Sequence, residues 1–257
     1  MRLLQHNNDG DFSLTEFFES DIPQYAILSH RWGAEEVTFR DLIDGTSKSK
    51  AGYSKIRFCG EQARRDKLHY FWVDTCCIDK SNNNELSEAI NSMFRWYLNA
   101  VKCYVFLSDV SRPDSDADDK LHQLPWESEF RKSRWFTRGW TLQELVAPTL
   151  VEFFSKDWGK LGNKTSLERH ICEITGIPVK ALRGSSLLDF SVTERMSWAE
   201  IRETTRKEDK AYSLLGIFNV HMPLIYGEER EEAFQRLRET IDKSLKGKSF
   251  SSISSVY

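Results

Sequence analysis

A chain of 257 residues with 40% hydrophobic and 29% charged residues has the composition of an ordinary globular protein, long enough for one large domain. Its net charge of −3 argues against a nucleic-acid partner, which needs a basic face, and no apolar run approaches the ~20 residues of a membrane span. Five cysteines without a CxxC pair, and an N-terminus lacking the apolar region of a signal peptide, point to a reducing, cytoplasmic setting.

Taken in chain order, residues 1–20 read as a short leader with a helical turn. YAILSHRWG (25–33) opens with a strand that breaks into a polar turn. Helical spacing follows over 37–43 and 55–67, where Ile56, Cys59, Ala63 and Leu68 share a stripe. YFWVDTC (70–76) is a second strand, running into the polar CIDKSNNNE. Residues 85–99 form an amphipathic helix with Leu86, Ile90, Met93, Phe94 and Tyr97 on one face. CYVFLS (103–108) is a third buried strand. The acidic stretch 109–129 reads as an exposed loop. A helix over 133–147 stops at Pro148, and TLVEFFS (149–155) is a fourth strand.

Short apolar strands separated by helices predict an α/β fold, a parallel sheet flanked by helices. From residue 161 the pattern turns helical over 165–176, 193–218 and 228–245, giving a helical extension packed on the core. Residues 246–257 are Ser-rich and read as a flexible tail or linker. The predicted organisation is therefore a core over 1–160, an extension over 161–245 and a tail over 246–257.

In an open parallel sheet, ligands bind at the carboxyl ends of the strands. Ser29, His30, Arg31, Trp32 and Gly33 follow the first strand there, Asp74 through Asp79 the second, and Ser108 and Asp109 the third. SRWFTRGWTLQEL (133–145) places Trp140 and Glu144 four residues apart, one helical turn on one face, with Arg134 and Arg138 on the preceding turns. An indole beside an acid suits a pocket: the ring packs on a ring, and the carboxylate accepts from hydroxyls or offsets a developing cation. The same spacing also fits an amphipathic helix with core tryptophans and a solvated acid. No GxGxxG, P-loop or GxSxG motif offers an alternative chemistry, and no His/Cys cluster has zinc spacing, so no metal or cofactor is predicted. A thiol nucleophile, Cys77 with His30, is a further reading.

YAILSHRWG, FWVDTCCIDK and SRWFTRGWTLQELVAP, with the closing TTRKEDKAYSLLGIFNVHMPLIYGEEREEAFQRL, resemble the HET domain, the fungal heterokaryon-incompatibility module. More distantly, the first half is similar to a TIR domain, with its flavodoxin-like sheet. Ser29-His30-Arg31 followed by Trp32 and Gly33 resembles the TIR opening turn. SRWFTRGWTLQEL resembles the TIR helix that carries a tryptophan and the glutamate of NAD-cleaving members. The resemblance implies a cell-death effector, acting in innate immunity and activated by oligomerisation. It implies NAD+ as substrate, Glu144 as the catalytic residue, and Ser29, His30, Arg31, Trp32, Gly33, Asp74 and Trp140 as substrate-binding residues. It also implies self-association and a C-terminal nucleotide-binding and repeat receptor region in a longer chain. The alternative it leaves open is a non-catalytic TIR-like adaptor that acts by homotypic assembly.

Overall fold

The computed structural model describes residues 1–7, 11–112 and 125–253. Residues 113–124 of the acidic stretch and 254–257 of the tail lie outside them.

Four strands form a parallel centre: β3 (Tyr25–His30), β4 (Tyr70–Trp72), β5 (Lys102–Phe106) and β6 (Val151–Phe154). β3 pairs with β4 and β5, and β5 pairs with β6, in parallel throughout. All of β3 is buried, as expected of a strand covered by helices on both faces. The predicted α/β architecture of a parallel sheet flanked by helices is the observed one. In space the four lie second, first, third, fourth, the order of flavodoxin-like sheets, whose ligand crevice opens where the winding reverses. Here that point lies between β3 and β5.

The sheet is wider than the sequence pattern suggested. β1 (Arg2–His6) and β2 (Phe12–Glu16) form an antiparallel hairpin in place of the predicted leader, and a single 3₁₀ turn, Glu19–Asp21, follows them. β1 joins the sheet through β4, with Leu4 opposite Phe71. The apolar pair Leu3 and Leu4 is fully buried, which gives the hairpin its anchor. On the other edge β7 (Lys160–Asn163) pairs antiparallel with β6, completing seven strands in the order β2-β1-β4-β3-β5-β6-β7.

The amphipathic helix is Asn83–Asn99, started by Asn82, whose side chain accepts from the Asn84 and Glu85 N–H groups at 3.1 and 3.3 Å. It packs on one face of the sheet through Ala89, Ile90, Met93 and Tyr97. Tyr53–Arg65 supplies a second helix, burying Ile56, Cys59 and Ala63. The acidic stretch is anchored at both described ends, because Val110 and Trp126 are buried and Glu127–Lys132 is helical.

A continuous helix over 193–218 does not form. Instead Val192–Ser197, Asp209–Tyr212 and Leu215–Phe218 are short helices joined by turns. The last stops at Asn219, which takes the left-handed conformation of a C-cap. Gly216 lets this segment sit directly on the Asn83–Asn99 helix: a Cβ there would overlap Phe94. The final helix, Arg230–Ile253, buries Ala233, Leu237 and Ile241 and runs on into the segment read as a tail.

Candidate active site between β3 and β5

The predicted helix over 133–147 is mostly turn. Only Thr141–Val146 is α-helical, and Trp140 is its first flanking residue. Two constraints hold 133–140 in turns. Ser133 donates to Asp109 at 2.7 Å, and Arg138 bridges to Glu203, with the Gly139 N–H donating to Glu203 O at 2.8 Å. Gly139 is required for that approach, since a Cβ there would overlap Thr204 Cγ2. Arg202, fully buried, fixes the junction by donating to the Arg138 carbonyl at 3.0 Å and to Thr141 Oγ1 at 2.9 Å.

This turn delivers Glu144 to the carboxyl end of β3, where it is 7% exposed. Ser29 donates its hydroxyl to Glu144 Oε2, and the Trp135 indole N–H donates to Ser29 Oγ at 2.9 Å. Trp135 is fully buried, and it also fixes the hydroxyl that meets the acid. Tyr97, from the Asn83–Asn99 helix, lies beside the carboxyl and donates to Leu28 O at 3.1 Å.

Burial pushes the Glu144 carboxyl up to about 8; the Ser29 hydrogen bond opposes this and the nearby Asp74 charge adds to it. Asp74 follows β4. Burial would raise its carboxyl, but Lys80, His30 and Trp32 outweigh that and bring it down to about 2. His30 Nε2 lies 3.1 Å from Asp74 Oδ1, and the Trp32 indole donates to Asp74 Oδ2 at 2.8 Å. The two neighbouring acids are thus pushed in opposite directions, Glu144 up and Asp74 down, the pattern that separates catalytic roles.

The remaining predicted residues divide between the two faces of the sheet, because successive strand side chains alternate. Ser29 faces Glu144. His30 faces the Tyr53–Arg65 helix, where Lys55 Nζ lies 3.3 Å from its Nδ1 and also donates to Glu36. The Gly33 N–H donates to Glu36 at 2.6 Å. Trp32 is 49% exposed, with Lys80 Nζ 3.5 Å above its ring. Both line a cavity of about 720 Å³ that also touches Phe39, Ile43 and Asp79. Neither Glu144 nor Asp74 lines that cavity. Trp140 is half-buried and donates to Asp209 at 3.3 Å. Arg31 is half-buried beside Arg134 and Arg138.

Cys77 is buried and receives the Val73 N–H at 3.4 Å, while both His30 nitrogens are engaged elsewhere, so no Cys77–His30 pair forms.

Sequence reasoning missed Trp135, Tyr97 and Arg202. Each looks apolar or generic on its own stripe, and only the fold gives it a polar partner.

Fold and site together define an α/β protein with a buried acid at the winding reversal of a parallel sheet. Residues 25–128 match the family described as heterokaryon incompatibility protein (HET). The chain is 60% identical over 246 residues, 95% of its length, to vegetative incompatibility protein HET-E-1 of Podospora anserina. It belongs to the HET domain family, and it spans 18% of that relative's length. No solved structure matches it.

Proposed function

We propose that this domain is the effector of a fungal incompatibility protein and that it hydrolyses NAD+ at the nicotinamide–ribose bond. The family match and the incompatibility protein it resembles support the first part. The observation that carries the second is Glu144, buried at the winding reversal and held by Ser29.

The chemistry follows from the substrate. The C1′–N bond breaks with its electron pair going to the pyridinium nitrogen, so nicotinamide leaves neutral and needs no acid to protonate it. One of the two carboxylates of an ordinary glycosidase is therefore dispensable. The ribose passes through an oxocarbenium-like state, which Glu144 stabilises as a carboxylate in a low-dielectric crevice. Water adds at C1′ and loses a proton, giving ADP-ribose. The bound cation itself favours the ionised form of Glu144, offsetting the burial that raises it.

Self-association and attachment to a longer receptor belong to this reading; the relative's much greater length is in keeping with further regions. The distant TIR resemblance is supported by the flavodoxin-like strand order.

The test incubates purified domain with NAD+ and follows nicotinamide release, at low and high protein concentration. Glu144→Gln should reduce release by ~10²–10³-fold. Release unaffected by Glu144→Gln ends the assignment. Cell killing that survives Glu144→Gln in a folded protein would favour the adaptor.

A further inference from the structure

Three arginines from two separate segments come close to one another, and one of them, Arg138, is near enough to Glu144 to act on its carboxyl. Arg31 is the first residue past β3, and its carbonyl is held by Lys55 Nζ at 3.0 Å. His30 pairs with Phe106, so the chain leaving β5 toward Asp109 runs alongside Arg31. Asp109 accepts from the Arg134 backbone N–H at 2.9 Å and from Arg134 Nε at 3.3 Å, which brings the 133–140 turn to the same edge. Arg138, four residues on in the same turn segment, donates to Thr205 at 3.1 Å.

The charges of this group are felt mutually. Burial lowers the Arg31 guanidinium, Arg134 and Arg138 lower it further, and Asp109 partly compensates. Arg138 also acts on Glu144, so the group reaches the neighbourhood of the acid. The Arg31 Nε is buried without a hydrogen-bond partner among the described residues. Convergence of like charges around an unused donor costs stability, and an anionic ligand relieves it. Guanidinium forks match phosphate oxygens in pairs.

We propose that Arg31, Arg134 and Arg138 form an anion subsite that receives the diphosphate of a dinucleotide whose ribose lies against Glu144. The arginines carry the anion subsite by themselves; naming the anion as the diphosphate of NAD+ rests on the hydrolase reading above. None of the three arginines lines the cavity at Trp32. A substrate would then lie across the β3–β5 gap, with its phosphates over the arginines.

Calorimetric titration separates the two layers. Inorganic pyrophosphate, ADP-ribose and inorganic phosphate would each be titrated into the wild type and into Arg31→Gln, Arg134→Gln and Arg138→Gln. Arg169→Gln, whose side chain is 88% exposed on the Glu168–Thr175 helix, is the charge control, and thermal melting confirms that each variant is folded. The expected result is that pyrophosphate and ADP-ribose bind the wild type more tightly than phosphate does. Affinity should fall about tenfold or more for each of the three variants, partly restored by lysine, and should be unchanged in Arg169→Gln. Pyrophosphate affinity equal in wild type and all three variants, or no binding at all, overturns the subsite. Pyrophosphate and ADP-ribose binding that depends on the arginines, without nicotinamide release from NAD+, retains the subsite and removes the hydrolase reading.

Discussion

The Trp135 indole donates at 2.9 Å to Ser29 Oγ, the same oxygen whose proton is given to Glu144. A residue of the turn thereby sets the hydroxyl of a strand, and that hydroxyl sets the acid. Trp135→Phe keeps most of the ring's packing and removes the donor. It should cost ~1–2 kcal/mol in denaturant unfolding, the loss of one buried hydrogen bond with a partly filled space. Nicotinamide release should drop about tenfold through misplacement of Glu144. A melting curve and release rate indistinguishable from wild type would show that the indole N–H positions nothing.

Ser29 and Asp74 act on Glu144 in opposite senses. The Ser29 hydrogen bond favours the carboxylate, whereas the Asp74 charge disfavours it. In the wild type, kcat/KM for NAD+ should rise with pH and reach half its limit near about 8, where Glu144 loses its proton in the free protein. Ser29→Ala should move that limb to higher pH, and Asp74→Asn should move it to lower pH. A pH–rate series on the three proteins reads both signs at once. Two shifts in the same direction would contradict this account of the site.

Much of the centre was legible in the sequence, and the reasons are local. YAIL and CYVFL are apolar throughout, which suits a strand buried on both faces, and the polar residues that follow them had to lie toward the carboxyl edge. The hairpin of β1 and β2 was not legible, because RLLQH buries only two adjacent residues and gives no alternation to read. The 133–147 segment has helical spacing, but its path is decided by Glu203, which lies far along the chain. The contacts of Trp135 and Trp140 depend on that same path. One faces Ser29 and the other faces Asp209, contacts that no local pattern encodes.

The turn itself can be tested at Gly139. A methyl group there would overlap Thr204 Cγ2 and press on Ser213 Oγ at 3.2 Å, so the 133–140 turn and the segment at Glu203 must part. Gly139→Ala should destabilise the domain by ~1–3 kcal/mol, with the loss visible in denaturant unfolding. Its effect on nicotinamide release should exceed that on stability, since the turn carries Glu144. Near-wild-type stability would mean that the two segments separate without strain.

Burial of Glu144 also makes a prediction that needs no substrate. Its carboxyl is raised from 4.5 to about 8 in the folded chain, so the folded state holds a proton that the unfolded state releases. The stability this group contributes is therefore complete below pH 4.5 and is lost as pH rises through about 8. Glu144→Gln, which stays neutral, should match the wild type near pH 5 and exceed it at pH 9 by up to roughly 4 kcal/mol. Asp74 works in the opposite window. Its carboxyl, lowered from 3.8 to about 2, contributes stability above pH 3.8 that is lost as pH falls toward 2. Unfolding free energies of wild type, Glu144→Gln and Asp74→Asn across pH 3 to 9 check both slopes. Wild type and Glu144→Gln running parallel from pH 5 to 9 would show that Glu144 is ionised in the resting fold, and the acid would then meet its substrate already charged.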